Sequence, residues 1–161
     1  MKEVSRALDD EHRTTLDLLG RTGQAFARAP RPGTDEAAEA SRVANALARF
    51  IEDHIDRHFG FEERELFPRL EAAGEGGIVS LLAEEHVTIR AVAAELLPLA
   101  RKAAAGTLDD RGFEALKRGT PELVERLENH IQKETMALLP MLDDILDEDT
   151  DRELAFAYAS S

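Results

Sequence analysis

The sequence predicts an all-α protein: an up-down-up-down four-helix bundle followed by an acidic tail or a short C-terminal helix. Three observations carry this. Apolar residues recur at spacings of three and four over four long segments. The breaks between those segments are short clusters of Gly and Pro. The composition is rich in Ala and Leu, with 5% aromatic residues and no Trp, which favours helix over sheet.

The first helix is expected from about Glu3 to Ala29, with Val4, Leu8, His12, Leu16, Leu19 and Phe26 on its inner side, and stops at Pro30-Arg31-Pro32-Gly33. Thr34 is the expected N-cap of the second, and Asp35 and Glu36 suit a helix N-terminus. That helix carries Val43, Leu47, Phe50, His54, His58, Phe61, Glu62 and Leu66 before Gly74. The third follows Gly76-Gly77 through Val79, Leu82, His86, Ile89, Ala93 and Leu96 to about Ala105. The fourth starts near Asp109 and carries Leu123, Leu127, His130, Glu134, Leu138, Met141 and Ile145, with Gly119-Thr120-Pro121 as a point where it kinks or splits. Short connections imply antiparallel neighbours. One domain is expected over residues 1–161, its bundle over about 3–147, with an acidic tail or short helix over 148–161.

A net charge of −13 argues against nucleic acid and against an anionic membrane surface, both of which require basic stripes. Asp143, Asp144, Asp147, Glu148, Asp149, Asp151 and Glu153 form an acidic run that reads as a solvated helix end. Without cysteine there are no disulfides, thiolate metal sites or cysteine nucleophiles. No apolar signal core and no membrane-length apolar run is present, so a cytoplasmic protein is expected.

The chemistry lies in an internal repeat. One segment reads His58-Phe-Gly-Phe-Glu62-Glu-Arg-Glu-Leu66-Phe-Pro68-Arg-Leu70; another reads His130-Ile-Gln-Lys-Glu134-Thr-Met-Ala-Leu138-Leu-Pro140-Met-Leu142. His, Glu, Leu, Pro and Leu fall at identical offsets. Glu11-His12 and Glu85-His86 match in the preceding helices, so each of two hairpins contributes one lone His and one His-x-x-x-Glu. Four residues of helix turn about 400° and rise about 6 Å, which places the His and Glu of each pair on one face. Two carboxylates and the imidazoles around them suit a pair of cations in an otherwise apolar core. Pro68 and Pro140 are expected where each helix ends or bends below the site.

Imidazole and carboxylate without sulfur suit iron, manganese or zinc. The ferritin-type Glu-x-x-His is absent, because the positions three before each histidine hold Asp9, Ile51, Ile55, Ala83 and Leu127. The zincin sequence His-Glu-x-x-His is absent too.

These motifs resemble the hemerythrin-like (HHE cation-binding) family, from Glu11-His12 to Leu142. The resemblance implies a four-helix bundle holding two irons, oxo- or hydroxo-bridged, with both glutamates bridging. By position the ligands are His12, His58, Glu62, His86, His130 and Glu134. Oxygen-carrying members have a second His one turn after that of the third helix, where this chain has Arg90, and a His-x-x-x-x-Asp in the fourth, where it has Glu134 followed by Thr135. The pattern is closer to variants with a lone third-helix His and to the iron-centre repair family. His54, one turn before His58, is a further candidate, as a fifth nitrogen ligand or as a hydrogen-bonding group behind the ligands. Arg90, one turn after His86, either pairs with a glutamate near the site or points outward, the latter being expected; Glu11, Glu63 and Glu85 either orient imidazoles or, as expected, are solvated helix charges. Nothing in the sequence marks Tyr158 as a ligand.

The functions left open are binding or sensing of oxygen, nitric oxide or peroxide, enzymatic removal of peroxide or nitric oxide, and iron storage or delivery to damaged iron centres. The absence of cysteine weighs against repair. No output domain is visible in this chain, so a sensor requires a protein partner. A reading of another class is a helical interaction module whose histidines are structural.

Overall fold

The computed structural model describes residues 1–28 and 30–161, and these form five helices with no strand among them. Helix α1 is Glu3–Ala25. Helix α2 runs unbroken over residues 35–72, and within it Phe50–Ile55 and Glu62–Leu66 are π-helical. Helix α3 is Gly76–Ala104, and α4 runs over residues 110–145 with a π turn at Glu134–Leu138. Helix α5, Glu148–Ala159, is the expected C-terminal helix. Ala29, the expected end of the first helix, lies outside the described residues, and α1 itself ends at Ala25. Leu16 and Ile145, both expected on apolar faces, are exposed instead.

The caps follow the sequence. Thr34 accepts from the Ala37 N–H at 3.2 Å, Asp109 from Gly112 at 2.7 Å and Asp147 from Thr150 at 2.8 Å. Pro121 neither splits nor ends α4, which continues through it to the ligand segment.

Register is read from contacts between helices. Lys2 meets Asp143 and His12 meets Glu134, so α1 and α4 run in opposite senses. Ser41 meets Ala103 while Glu63 meets His86, which gives the same relation for α2 and α3. The apolar core forms two clusters. One gathers Leu19, Leu47, Ile89, Leu96 and Leu123; the other gathers Leu8, Leu66, Leu82, Leu138 and Tyr158. The polar side chains of the repeat occupy the layer between them.

The leucine–proline repeat does not end its helices. In α2 the Phe67 N–H reaches back five residues to the Glu62 carbonyl, and in α4 Leu139 reaches Glu134 in the same way. Pro68 and Pro140 come next, with no N–H to continue an ordinary ladder. One wide turn directly after each repeat glutamate absorbs the missing donor, so both helices continue.

The acidic run is only partly solvated. Asp151, buried, accepts from the backbone N–H of Glu3 at 2.8 Å and of Val4 at 3.0 Å; Asp143 accepts from Lys2 at 2.8 Å. Lys2, the N-cap of α1, offers no side-chain cap of its own. Carboxylates from the far end of the chain therefore satisfy the first donors of α1 and its positive dipole end. Asp151→Ala is expected to cost about 1–2 kcal/mol, lowering Tm by roughly 2–8 °C for a domain of this size; thermal unfolding followed by circular dichroism checks it.

Candidate metal centre

Each helix of the bundle delivers part of one buried layer. His12 comes from α1, His58 and Glu62 from α2, His86 from α3, and His130 and Glu134 from α4. All six are at most 3% exposed. Their donor atoms form two groups of four: His12, His58, Glu62 and Glu134; and Glu62, His86, His130 and Glu134. Both glutamates belong to both groups.

The oxygens show why. Glu62 Oε1 lies 3.1 Å from His58 Nε2, and its Oε2 lies 3.2 Å from His86 Nε2. Glu134 Oε2 lies 2.9 Å from His12 Nε2, and its Oε1 lies 2.7 Å from His130 Nε2. Each carboxylate thus turns one oxygen to each half, the disposition required of a bridge between two cations. Every Nε2 faces inward, and those of His86 and His130 stand 3.1 Å apart.

These contacts are close, yet all four carboxylate oxygens and both His12 nitrogens lack a partner in hydrogen-bonding geometry. Buried carboxylates so placed are costly without a counter-charge. Four oxygens and four Nε2 atoms converging without sulfur form a donor set for iron, manganese or zinc. The residues fit a pair of such cations.

Without metal, protons take the counter-charge role. Burial alone lowers an imidazole pKa, but here the carboxylates prevail. His58 is raised to about 10 by the charge of Glu62 and by its contacts with Glu11 and Glu62. His86 is raised to about 9 by Glu134 and Glu62, and His130 is raised chiefly by Glu134. For Glu62 and Glu134 burial pushes upward, as does the charge of Glu134 on Glu62; the surrounding imidazoles outweigh this and hold both below the ordinary carboxylate value.

The outward Nδ1 atoms have their own partners, which corrects the reading of Glu11, Glu63 and Glu85 as solvated charges. His58 Nδ1 meets Glu11 at 3.2 Å, His86 meets Glu63 at 2.8 Å and His130 meets Glu85 at 2.8 Å. A basic side chain backs each carboxylate in turn: Arg57 on Glu11, Arg90 on Glu63 and Lys133 on Glu85. Arg90 is thus not directed outward; its Nη1 is 2.7 Å from Glu63, and its guanidinium lies 5.4 Å from the Phe59 ring centre. The Phe59 ring in turn stacks on His86 at 3.8 Å. His12 alone lacks a Nδ1 partner. The repeat explains this: the counterpart of Glu63, one residue after the ligand glutamate, is the exposed Thr135.

His54 stands apart from both groups of four. Its Nδ1 lies 2.8 Å from Glu11, and it stacks on His58 with ring centres 5.2 Å apart. It shares a third, less buried cluster with Glu11 and His58. That placement matches the hydrogen-bonding role behind the ligands rather than a fifth nitrogen in either group. Tyr158, which nothing in the sequence marked, places its hydroxyl 2.8 Å from His58 Nδ1. The signal for the glutamates was the repeat itself: Glu11 and Glu85 each precede the lone His and each meet the other His of their hairpin.

Among known families, the hemerythrin HHE cation binding domain matches residues 3–142. Two mycobacterial relatives are the uncharacterized protein Rv1995 of Mycobacterium tuberculosis and the uncharacterized protein Mb2018 of Mycobacterium bovis. Each is 30% identical over 136 residues, covering 84% of this chain and 49% of the relative. The chain therefore spans about half the length of the curated relatives it matches. No helix among the described residues is long and apolar enough to cross a membrane. With the match extending over most of the chain and the donor set of the repeat gathered in one layer, the chain belongs to the hemerythrin HHE cation-binding domain family.

Proposed function

We propose that the chain is a single up-down-up-down bundle that holds two iron ions, one between His12 and His58 and one between His86 and His130, with Glu62 and Glu134 bridging. The observation that carries this reading is the division of each carboxylate between the halves, with all four oxygens buried and without hydrogen-bond partners. Manganese or zinc could occupy the same donors, but two bridging carboxylates favour a redox pair. A bound iron pair supplies redox chemistry toward oxygen, nitric oxide or peroxide, and we assign the protein to binding, sensing or removing such a small ligand in the cytoplasm. The protein's own side chains prepare the centre for that chemistry. The Nε2 atoms of the four imidazoles would hold the iron, and Phe59 and Phe67, both buried, stack on His86.

Iron-loaded protein tests the reading directly. Metal analysis is expected to give two irons per chain; a content well below one, with stability indifferent to chelation, favours a helical interaction module. Oxygen evolution from peroxide and nitric oxide consumption at saturating iron then separate enzyme from binder, since turnover in neither assay leaves binding or sensing.

A further inference from the structure

Three of the four inward-facing histidines are held at Nδ1 by a carboxylate, but His58 differs from the other two. Its Nδ1 meets two acceptors, and the shorter contact, 2.8 Å, is to the Tyr158 hydroxyl rather than to Glu11 at 3.2 Å. Glu11 is divided among His58, His54 and Arg57. For Nε2 to present its lone pair inward, Nδ1 must carry the proton and donate it outward. The Tyr158 oxygen accepts at the shorter distance.

Tyr158 is itself firmly placed. It is buried at 5% exposure, its ring packs 4.8 Å from Phe61, and Arg57 lies over its face at 5.1 Å. It belongs to α5, which Asp151 joins to the start of α1, the helix that carries His12 and Glu11. Helix α5 also lies beyond residue 142, where the match to the family ends. The half formed by His86 and His130 owes nothing to α5, because each of those imidazoles has its own glutamate at 2.8 Å. In the other half His12 has no Nδ1 partner, so His58 is its one oriented imidazole.

We propose that Tyr158 is a positioning residue for the His12–His58 half of the centre. It accepts the His58 Nδ1–H, holds Nε2 toward the metal, and so makes the grip of this half on its cation depend on the C-terminal helix. This rests on the two-metal reading above.

The test uses full-length protein loaded anaerobically with iron(II), then mixed with a chromogenic iron(II) chelator. Tyr158→Phe removes only the hydroxyl and keeps the packed ring. The variant is expected to hold two irons per chain and to release one of them about 10–100-fold faster than wild type, the other at the wild-type rate. Glu85→Gln is expected to accelerate the other iron, so the double variant releases both quickly. Unchanged release of both irons from Tyr158→Phe overturns the proposal, as does equal acceleration of both, which marks a general loosening. If each single variant accelerates one iron and the double variant still retains one at the wild-type rate, both substitutions act on the same half, which overturns it too. Wild-type protein that takes up no iron would instead sink the two-metal reading itself.

Discussion

Glu62→Ala and Glu134→Ala are each expected to abolish two-metal occupancy, reducing bound metal from two ions per chain to one or none. The reason is geometric. Each carboxylate turns one oxygen to each half, so one substitution would remove a ligand from both of the proposed cations at once. What remains for each metal is two imidazoles and a single oxygen, with the anionic charge of the centre halved. Glu→Gln at either position has nearly the same volume and no charge, and is expected to fail similarly, which separates lost charge from a packing defect. Arg90→Ala is the contrasting case. Arg90 reaches His86 only indirectly, through Glu63 and the Phe59 ring, so its removal is expected to leave two metals bound. Elemental analysis of equally loaded, folded variants reads all of these outcomes; two full equivalents on Glu62→Ala would contradict the bridging role.

Removal of metal is expected to destabilise the protein, and more so as pH rises. In the metal-free protein the two carboxylates are balanced by protonated imidazoles. His58 and His86 have folded-state pKa values of about 10 and about 9, above the unfolded value of about 6.5. Groups raised in this way contribute stability that is complete below about pH 6.5 and is lost as pH climbs through 9 and 10. Metal bound in the proposed centre would displace those protons, and its binding would not weaken as the imidazoles lose them. At a free metal concentration about 1,000-fold above Kd, binding adds about 4 kcal/mol, or roughly 8–16 °C in Tm for a domain of this size. The Tm gap between loaded and chelated protein is therefore expected to widen from pH 6.5 to pH 9, with net proton release on loading. Calorimetry at both pH values checks this, and a gap that narrows with rising pH would contradict the proton-for-metal exchange.

The residues whose positions repeat were legible in the sequence, and those whose roles depend on register between helices were not. His-x-x-x-Glu is a within-helix statement, so a spacing of four already placed His58 with Glu62 and His130 with Glu134 on one face. Lone His12 and His86 became candidates because the repeat paired them. Glu63 and Glu85 are helix-surface residues whose charge alone reads as solvated; only the antiparallel register carries them to an Nδ1 on the next helix. Arg90 follows Glu63 for the same reason. Tyr158 and Asp151 lie after a further turn, and no periodicity in the bundle helices fixes where α5 docks. The leucine–proline repeat was visible, but its meaning changed. A missing proline donor can end a helix, bend it or widen one turn, and here the turn after each glutamate widens. His54 had two open roles by sequence, and the structure places its Nδ1 2.8 Å from Glu11, outside both groups of four.

The proposed two-metal centre is tested most directly by X-ray diffraction at the iron absorption edge from crystals of the iron-loaded protein. Two anomalous peaks are expected within the buried layer, one bonded to His12 and His58, the other to His86 and His130, with Glu62 and Glu134 in contact with both. A single peak, no peak, or density at the Glu11–His54 cluster in place of that pair would contradict the assignment.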